Sequence, residues 1–371
     1  MNVAICIIAY NRIDSLQRVL SSVSEACYDQ EVTLIISIDK SKNSAVEDYA
    51  DAYLWNHGAK YVIKHSENLG LRKHVLECGD RVKGYDALIV LEDDVTVAES
   101  FFIYAKQCVA KYKDDDKIAG ISLYSFPLSY HCQVPFTPLQ SDSDVFLMKC
   151  AQSWGQIWMP RQWATFRNWY ESHSEEFTLQ PHLPRSICSW PKSSWLKYHT
   201  RYCIEQNKYF VYPYVALSTN NCDAGTHNTK SSTMFQTKML YGFKNTFNLN
   251  PTVKYDGFFE SELLYDVLNL SPEECCLDFY GDKQNREGKR YWLSREIKNY
   301  KIIKSYALQL KPFELNIING RDGDDLFLYD TSVVQTNKHK YSYNAFIEYL
   351  YSMNIKAQIK KYLKDFINKL V

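Results

Sequence analysis

ALIVLEDDVTV, residues 87–97, decides how this 371-residue chain is read. Ala87 to Leu91 are apolar, three carboxylates (Glu92, Asp93 and Asp94) follow at once, and Val95 and Val97 restore the apolar character. A short apolar run ending sharply in charge predicts a buried parallel strand whose carboxyl end emerges at a site. In open α/β sheets, ligands bind outside the carboxyl ends of the strands. Three adjacent acids repel one another, and a hard divalent cation with oxygen ligands is the usual compensation. The same run can also close a strand in an acidic turn, so its neighbours in the chain have to decide.

Those neighbours repeat the pattern. Val3 to Ala9 reads as a strand that runs into Tyr10-Asn11-Arg12. A helix follows, with Leu16, Val19, Leu20 and Val23 on one face and Asp14 or Ser15 as its N-cap. Val32 to Ile38 is a second strand and ends at Asp39; Ala45 to His57 reads as a helix, Lys60 to Lys64 as a strand and Leu71 to Lys83 as a helix leading to 87–91. Alternation at this spacing predicts βαβ units and a parallel sheet. Glu99 to Tyr112 (helix), Ile118 to Leu123, Asp144 to Lys149 (strands), Trp195 to Asn207 (helix) and Tyr209 to Val215 (strand) extend it. Beyond Leu240 the pattern loosens into short strands and charged turns.

Composition narrows the function. Lys and Arg together number 43, as do Asp and Glu, so no net field draws nucleic acid, and no nucleic-acid partner is expected. The eleven cysteines are irregularly spaced, without a CxxC pair, which favours reduced thiols in a cytoplasmic protein over a disulfide framework or zinc site. The start, MNVAICIIAYNR, has no basic region typical of a signal peptide, and no run approaches a membrane span.

Three strands thus end in polar residues at one expected edge: Arg12, Asp39 and Glu92 to Asp94. An Arg suits a diphosphate, an Asp can accept hydrogen bonds from a base or ribose, and a carboxylate can hold a divalent cation bridging the same diphosphate. Neither GxGxxG nor GxxxxGK[ST] follows the first strand, which argues against dinucleotide oxidoreductases and P-loop enzymes. A nucleotide held by metal rather than by a glycine loop points to nucleotide-sugar or nucleotidyl transfer.

The motifs AYNR at 9–12, SID at 37–39, LEDDVTVAESFFIY at 91–104, SWGQIWMPRQW at 153–163, the run Trp195 to Pro213 and DAGTH at 223–227 resemble the GT-A-fold glycosyltransferases, or nucleotide-diphospho-sugar transferases. The resemblance is to bacterial family 2-like members and the N-acetylglucosaminyltransferase I group. It implies an α/β fold with a mostly parallel, Rossmann-like sheet flanked by helices. Residues 1–240 would form this transferase domain, and 241–371 an α+β extension ending in an amphipathic helix. It implies Mn²⁺ (or Mg²⁺), a UDP-sugar donor, inversion at the anomeric carbon, and a glycan or lipid-linked acceptor in bacterial surface polysaccharide synthesis. By the same resemblance Asp94 is the direct metal ligand, Glu92 and Asp93 lie by the ribose and diphosphate, and Asp39 contacts the uracil or ribose. Tyr10, Arg12, Arg72 and His74 lie near the nucleotide, and His227 completes the metal or diphosphate site.

Trp154 can form an acceptor-side wall, since Gly155 beside it permits close approach. Trp158, Trp163 and Trp169 read as core, and His65, His131, His182 and His199 as ordinary histidines. The chain departs from the resembled pattern at the base: where relatives carry Trp-Asp, it has Trp195-Leu196, and leucine cannot accept a proton. Asp223, in the polar loop beside His227, is the substitute expected from the sequence. Residues 354–371 pair an apolar face with lysines, which fits either a helix lying on an anionic membrane at the inner face of the cell membrane or one packed on the domain. Two rival readings stand beside glycosyl transfer: a sugar nucleotidyltransferase, and a catalytically impaired nucleotide-binding protein on the same fold.

Overall fold

The structure is a computed structural model that describes residues 1–129, 131–132, 134–225, 230–283 and 285–337, with Ile359 and Leu363. The chain forms two compact units: residues 1–126, 141–178 and 190–252 make the first, and residues 127–140, 179–189 and 253–371 the second. Segments 127–140 and 179–189 thus group with the C-terminal part of the chain although they lie inside the region 1–240.

The first unit is the α/β layer the alternation predicts. Its strands are β1 (Val3–Ala9), β2 (Thr33–Ile38), β3 (Lys60–Lys64), β4 (Ala87–Glu92), β5 (Val95–Val97), β6 (Ile118–Ser122), β7 (Val145–Met148), β8 (Gln156–Trp158), β9 (Tyr209–Pro213) and β10 (Ser218–Asn220). Eight of them form one sheet in the order β7-β9-β6-β8-β4-β1-β2-β3. β1 is central, parallel to β2 on one side and β4 on the other, and all seven of its residues are buried. Burial on both faces is why the run reads as continuously apolar rather than alternating.

Register fixes what reaches the carboxyl edge. Ile8 pairs with Glu92, and Ala9 with Ile38, so Arg12, Asp39 and the acid triplet leave the sheet side by side. The helices are α1 (Ile13–Ser24), α2 (Ala45–Ala52), α3 (Leu71–Asp80), α4 (Phe101–Tyr112), α5 (Pro160–His173) and α6 (Leu196–Glu205). α1 buries the stripe Leu16, Val19, Leu20 and Val23 expected from its spacing. Its N-cap is Arg12, not Asp14 or Ser15, and the Ser15 hydroxyl is used elsewhere. α2 ends five residues earlier than its pattern: Tyr53 turns extended, and Trp55 is drawn inward, where its indole N–H donates to the Val32 carbonyl at 2.8 Å.

The sheet is less purely parallel than the sequence suggests. β8, three residues in the tryptophan-rich segment, is inserted antiparallel between β4 and β6. It is too short and too aromatic to show a strand period. β7 is likewise antiparallel to β9. A separate two-stranded ladder pairs β10 antiparallel with β5, Asn220 opposite Val95.

The second unit holds a four-stranded sheet of β11 (Cys275–Asp278), β12 (Tyr291–Ser294), β13 (Tyr300–Tyr306) and β14 (Leu326–Val334), in the order β11-β12-β14-β13. Cys276, Trp292, Phe327 and Tyr329 pack its core. Among the described residues no helix is long and apolar enough to cross a membrane. The basic amphipathic segment 354–371 lies outside the described residues, apart from exposed Ile359 and Leu363.

One close approach ties α3 to α5. A Cβ on Gly79 would fall inside the indole of Trp163. That ring cannot step aside, because it stacks on Trp158 with centroids 4.2 Å apart and its N–H donates to Asp80 at 2.8 Å. In an open helix, alanine would gain up to about 1 kcal/mol over glycine, but overpacking costs about 1–3 kcal/mol and wins here. Gly79→Ala should therefore lower stability in urea titration by about 1–3 kcal/mol; a neutral or stabilised variant would show that Trp163 yields.

Candidate functional site

The carboxyl edge of β1, β2 and β4 opens into a cleft of about 520 Å³ lined by, among others, Tyr10, Arg12, Asp39, Asp93, Asp94 and Trp154. Each wall follows from a register. The parallel strands bring up Arg12, Asp39 and Glu92 to Asp94. Antiparallel β8, with Gln156 opposite Val90, carries Ser153 and Trp154 back to the end of β4. The β5–β10 ladder lays Asn220, Cys222 and Asp223 beside Asp94. α6 presents Trp195 and Leu196 from the far side.

Arg12 organises the charges. Its guanidinium pairs with both oxygens of Asp93 and reaches Asp94 Oδ2 at 3.1 Å. Burial opposes the charge on Arg12, yet the two aspartates outweigh burial and hold its pKa above the ordinary value. Burial pushes Asp93 up to about 6 even against the pull of Arg12, with the Asp94 charge adding to the rise. Glu92 is raised well above the usual carboxylate range, first by burial and then by the charges of Asp94 and Asp93.

Asn220 and Asn221 hold Asp94 in place. The Asn220 amide donates to Asp94 Oδ1 at 3.1 Å, while the Asn221 backbone N–H and side-chain amide donate to the Asp94 carbonyl at 2.8 and 3.0 Å. Neither residue stands out in the sequence beyond the polarity of its loop; the signal would have been the short strand Ser218–Asn220 facing Val95 to Val97. Ser153 was also missed, and it hydrogen-bonds Glu92.

Asp39 is buried at the cleft, and its carboxylate accepts the backbone N–H groups of Lys40, Leu69 and Gly70 at 2.9, 2.8 and 3.0 Å. It therefore fastens the loop leading into α3 at the edge of the cleft. His74, also lining the cleft, sits on α3 with its Nε2 2.8 Å from the Ser37 hydroxyl. Tyr10 is exposed at the rim.

Trp154 is half-buried, 4.8 Å from the Tyr124 ring and 4.9 Å from Phe235. Gly155 behind it has φ +98°, and a Cβ there would press on Ser218 and Leu123 at 2.9 and 3.1 Å, so the turn presenting Trp154 requires glycine. Trp158 and Trp163 are buried in the core, as read from the sequence.

The expectation for Arg72 needs correcting. It does not line the cleft: its guanidinium donates to the Tyr170 and Tyr198 hydroxyls at 2.5 and 3.2 Å and to the carbonyls of Ser174 and Lys192 at 2.5 and 3.3 Å. It also lies 4.3 Å over the Tyr198 ring. Those bonds and the aromatic contact use the guanidinium to tie the end of α5 to α6, which leaves it no part in the cleft.

Asp223 lies in the cleft, and its Oδ2 accepts the Ser15 hydroxyl at 2.7 Å and pairs with Arg18. Among the described residues its Oδ1 accepts no hydrogen bond. Leu196 opens α6 on the cleft wall, so the position where a carboxylate was expected does face the site and carries a leucine. His227 lies outside the described residues.

The donors suit a hard divalent cation by chemistry, since Asp93 and Asp94 offer carboxylate oxygens side by side. They do not enclose one: among the described residues no three His, Cys, Asp or Glu side chains could hold an ion together. A cation here would take one or two carboxylates and complete its shell from a bound diphosphate and water, the usual arrangement for magnesium-like ions.

Removal of the Asp39 carboxylate leaves three backbone donors without an acceptor. Asp39→Ala should cost about 1.5–3 kcal/mol, the scale of hydrogen bonds to a charged group. Hydrogen exchange at Leu69 and Gly70 should speed up accordingly; unchanged protection there would refute the fastening role.

Residues 4–132, which include β1 to β6 and the acid triplet, match the family described as Glycosyl transferase family 2. Among curated proteins, none matches the chain in sequence. Solved structures resemble parts of it at low identity. A mannosyltransferase, PcManGT, from Pyrobaculum calidifontis, in complex with GDP-Man and Mn²⁺, is 13% identical with a TM-score of 0.37, over 57% of this chain and 54% of that one. S. aureus TarS 1–349 in complex with UDP is 12% identical with a TM-score of 0.39, over 59% and 60%. GalNAc-T7 with UDP, GalNAc and Mn²⁺ is 14% identical with a TM-score of 0.38, over 58% and 42%. The chain spans less than two thirds of each of these proteins, and its own likeness to glycosyl transferase family 2 rests on residues 4–132.

Proposed function

We propose that the protein is a metal-dependent, inverting glycosyltransferase that takes a sugar from a nucleoside-diphosphate donor, a UDP-sugar in the first instance. The observation carrying this reading is the convergence of Arg12, Asp39 and the 92–94 carboxylates at the ends of three neighbouring parallel strands around one cleft. A nucleotide lies over that edge, with its base or ribose toward Asp39 and its diphosphate toward Arg12. Asp94, with Asp93 beside it, would hold Mn²⁺ or Mg²⁺. When bound, that ion neutralises charge on the leaving diphosphate. Trp154 offers an aromatic face to the acceptor sugar.

Asp223 is the base in this reading. Ser15 and Arg18 orient its Oδ2, and Oδ1 is left to take the proton from the acceptor hydroxyl. The same ion pair also favours a second reading, in which Asp223 is a clasp between its loop and α1. The acceptor is a glycan or a lipid-linked sugar of bacterial surface polysaccharide synthesis. The setting is the cytoplasm, where residues 354–371 either contact an anionic membrane surface or pack on the domain.

Titration of UDP and GDP with and without Mn²⁺, followed by hydrolysis of UDP-sugars, tests the class. Asp94→Ala should abolish transfer and the Mn²⁺-dependent part of nucleotide binding while leaving the fold intact; full Mn²⁺-dependent activity would remove Asp94 from the site.

Asp223→Asn separates the two roles of that residue. Loss of a base should lower kcat by about 10²–10⁴-fold with nucleotide affinity nearly unchanged. Loss of a clasp should instead lower the melting temperature together with nucleotide affinity.

A further inference from the structure

We propose that Arg12 is a resident counter-cation that occupies the acid pair until a nucleoside diphosphate arrives, and thereby makes metal binding depend on the nucleotide. The inference rests on the nucleotide-dependent reading above and adds a coupling that reading does not require.

Three observations carry it. Arg12 engages both oxygens of Asp93 and also Asp94 Oδ2, so one planar guanidinium bridges the two carboxylates a cation would use. The other oxygen of Asp94 already accepts the Asn220 amide. Each Asp94 oxygen thus already accepts a hydrogen bond, and a metal approaching the acid pair meets the positive charge of Arg12 held between the two carboxylates. Finally, among the described residues no three His, Cys, Asp or Glu side chains are grouped so as to hold a metal by themselves.

The enclosure keeps Arg12 where it is. Its side chain is only 25% exposed, and a Cβ on Gly225 would sit 3.2 Å from its Nη1, so the loop backbone passes close over the guanidinium. Releasing Arg12 without a new anion would leave a half-buried cation unpaired, which is costly. A diphosphate supplies that anion, with oxygens matched to the guanidinium fork. It also supplies metal ligands. The exchange therefore runs as one event: Arg12 passes from carboxylates to diphosphate, and the carboxylates pass from Arg12 to the metal. Because coupling free energies are reciprocal, Mn²⁺ tightens the nucleotide by the factor by which the nucleotide tightens Mn²⁺.

Isothermal titration of Mn²⁺ alone into the full chain, repeated with saturating UDP or GDP, reads the coupling directly. The wild-type protein should bind Mn²⁺ on the order of tenfold or more tightly with the nucleotide than without it. Arg12→Gln should bind Mn²⁺ alone on the order of tenfold more tightly than wild type, and the gain from nucleotide should shrink. Arg12→Lys, whose single ammonium cannot bridge both aspartates, should fall between them and serves if the glutamine variant does not fold. Thermal melting gives a second readout: Mn²⁺ alone should raise the melting temperature of either variant more than that of wild type.

The outcomes separate the two ideas. If wild type binds neither UDP nor GDP at any Mn²⁺ concentration, the proposed function falls. If it binds one of them, yet folded Arg12→Gln and Arg12→Lys show unchanged or weaker affinity for Mn²⁺ alone, the counter-cation role is overturned while the transferase reading stands.

Discussion

The cluster of like charge at the end of β4 is the constraint on which the site's architecture depends. Glu92, Asp93 and Asp94 stand at the end of a strand buried from Ala87 to Leu91, and burial drives Glu92 and Asp93 toward their protonated forms. The chain answers with compensation from several directions. Arg12 comes from the turn after the neighbouring strand, Asn220 and Asn221 from the end of a two-stranded ladder, and Ser153 from the bend ahead of the strand on the other side. The topology can be read as the means of delivering these groups to one edge.

Local sequence showed the part of this delivery that is repetitive. β1, β2 and β4 are continuous apolar runs closed by charge, and runs of that kind are legible because burial on both faces leaves no alternation to confuse. The stripe on α1 was legible for the complementary reason, since it faces the core on one side only. Arg12, Asp39 and the triplet, expected at one edge of the sheet, line one cleft.

What escaped was set by tertiary partners. β8 is a three-residue strand whose identity comes from the two strands that flank it, not from its own period. α2 stops early because Trp55 is pulled toward the core, a contact no window of the sequence contains. Arg72 looked like a nucleotide ligand from its place after the loop, but two tyrosine hydroxyls and two carbonyls far along the chain claim its guanidinium. Asp39 was read as a group facing the ligand, and its bonds show a further job in fastening the loop ahead of α3.

The antiparallel insertion of β8 has a consequence for how such a cleft can diversify. Because β8 is hydrogen-bonded to β4 on one flank and β6 on the other, the bend bearing Trp154 and the turn bearing Asp93 and Asp94 are both anchored on the same sheet. Their anchor points cannot hinge apart without tearing the middle of that sheet. The rest of the lining comes from segments without ladder partners there, among them the stretch that leads into α6, the loop ahead of α3 and the loop after β10 that carries Asp223, and these are the parts of the cleft freest to vary.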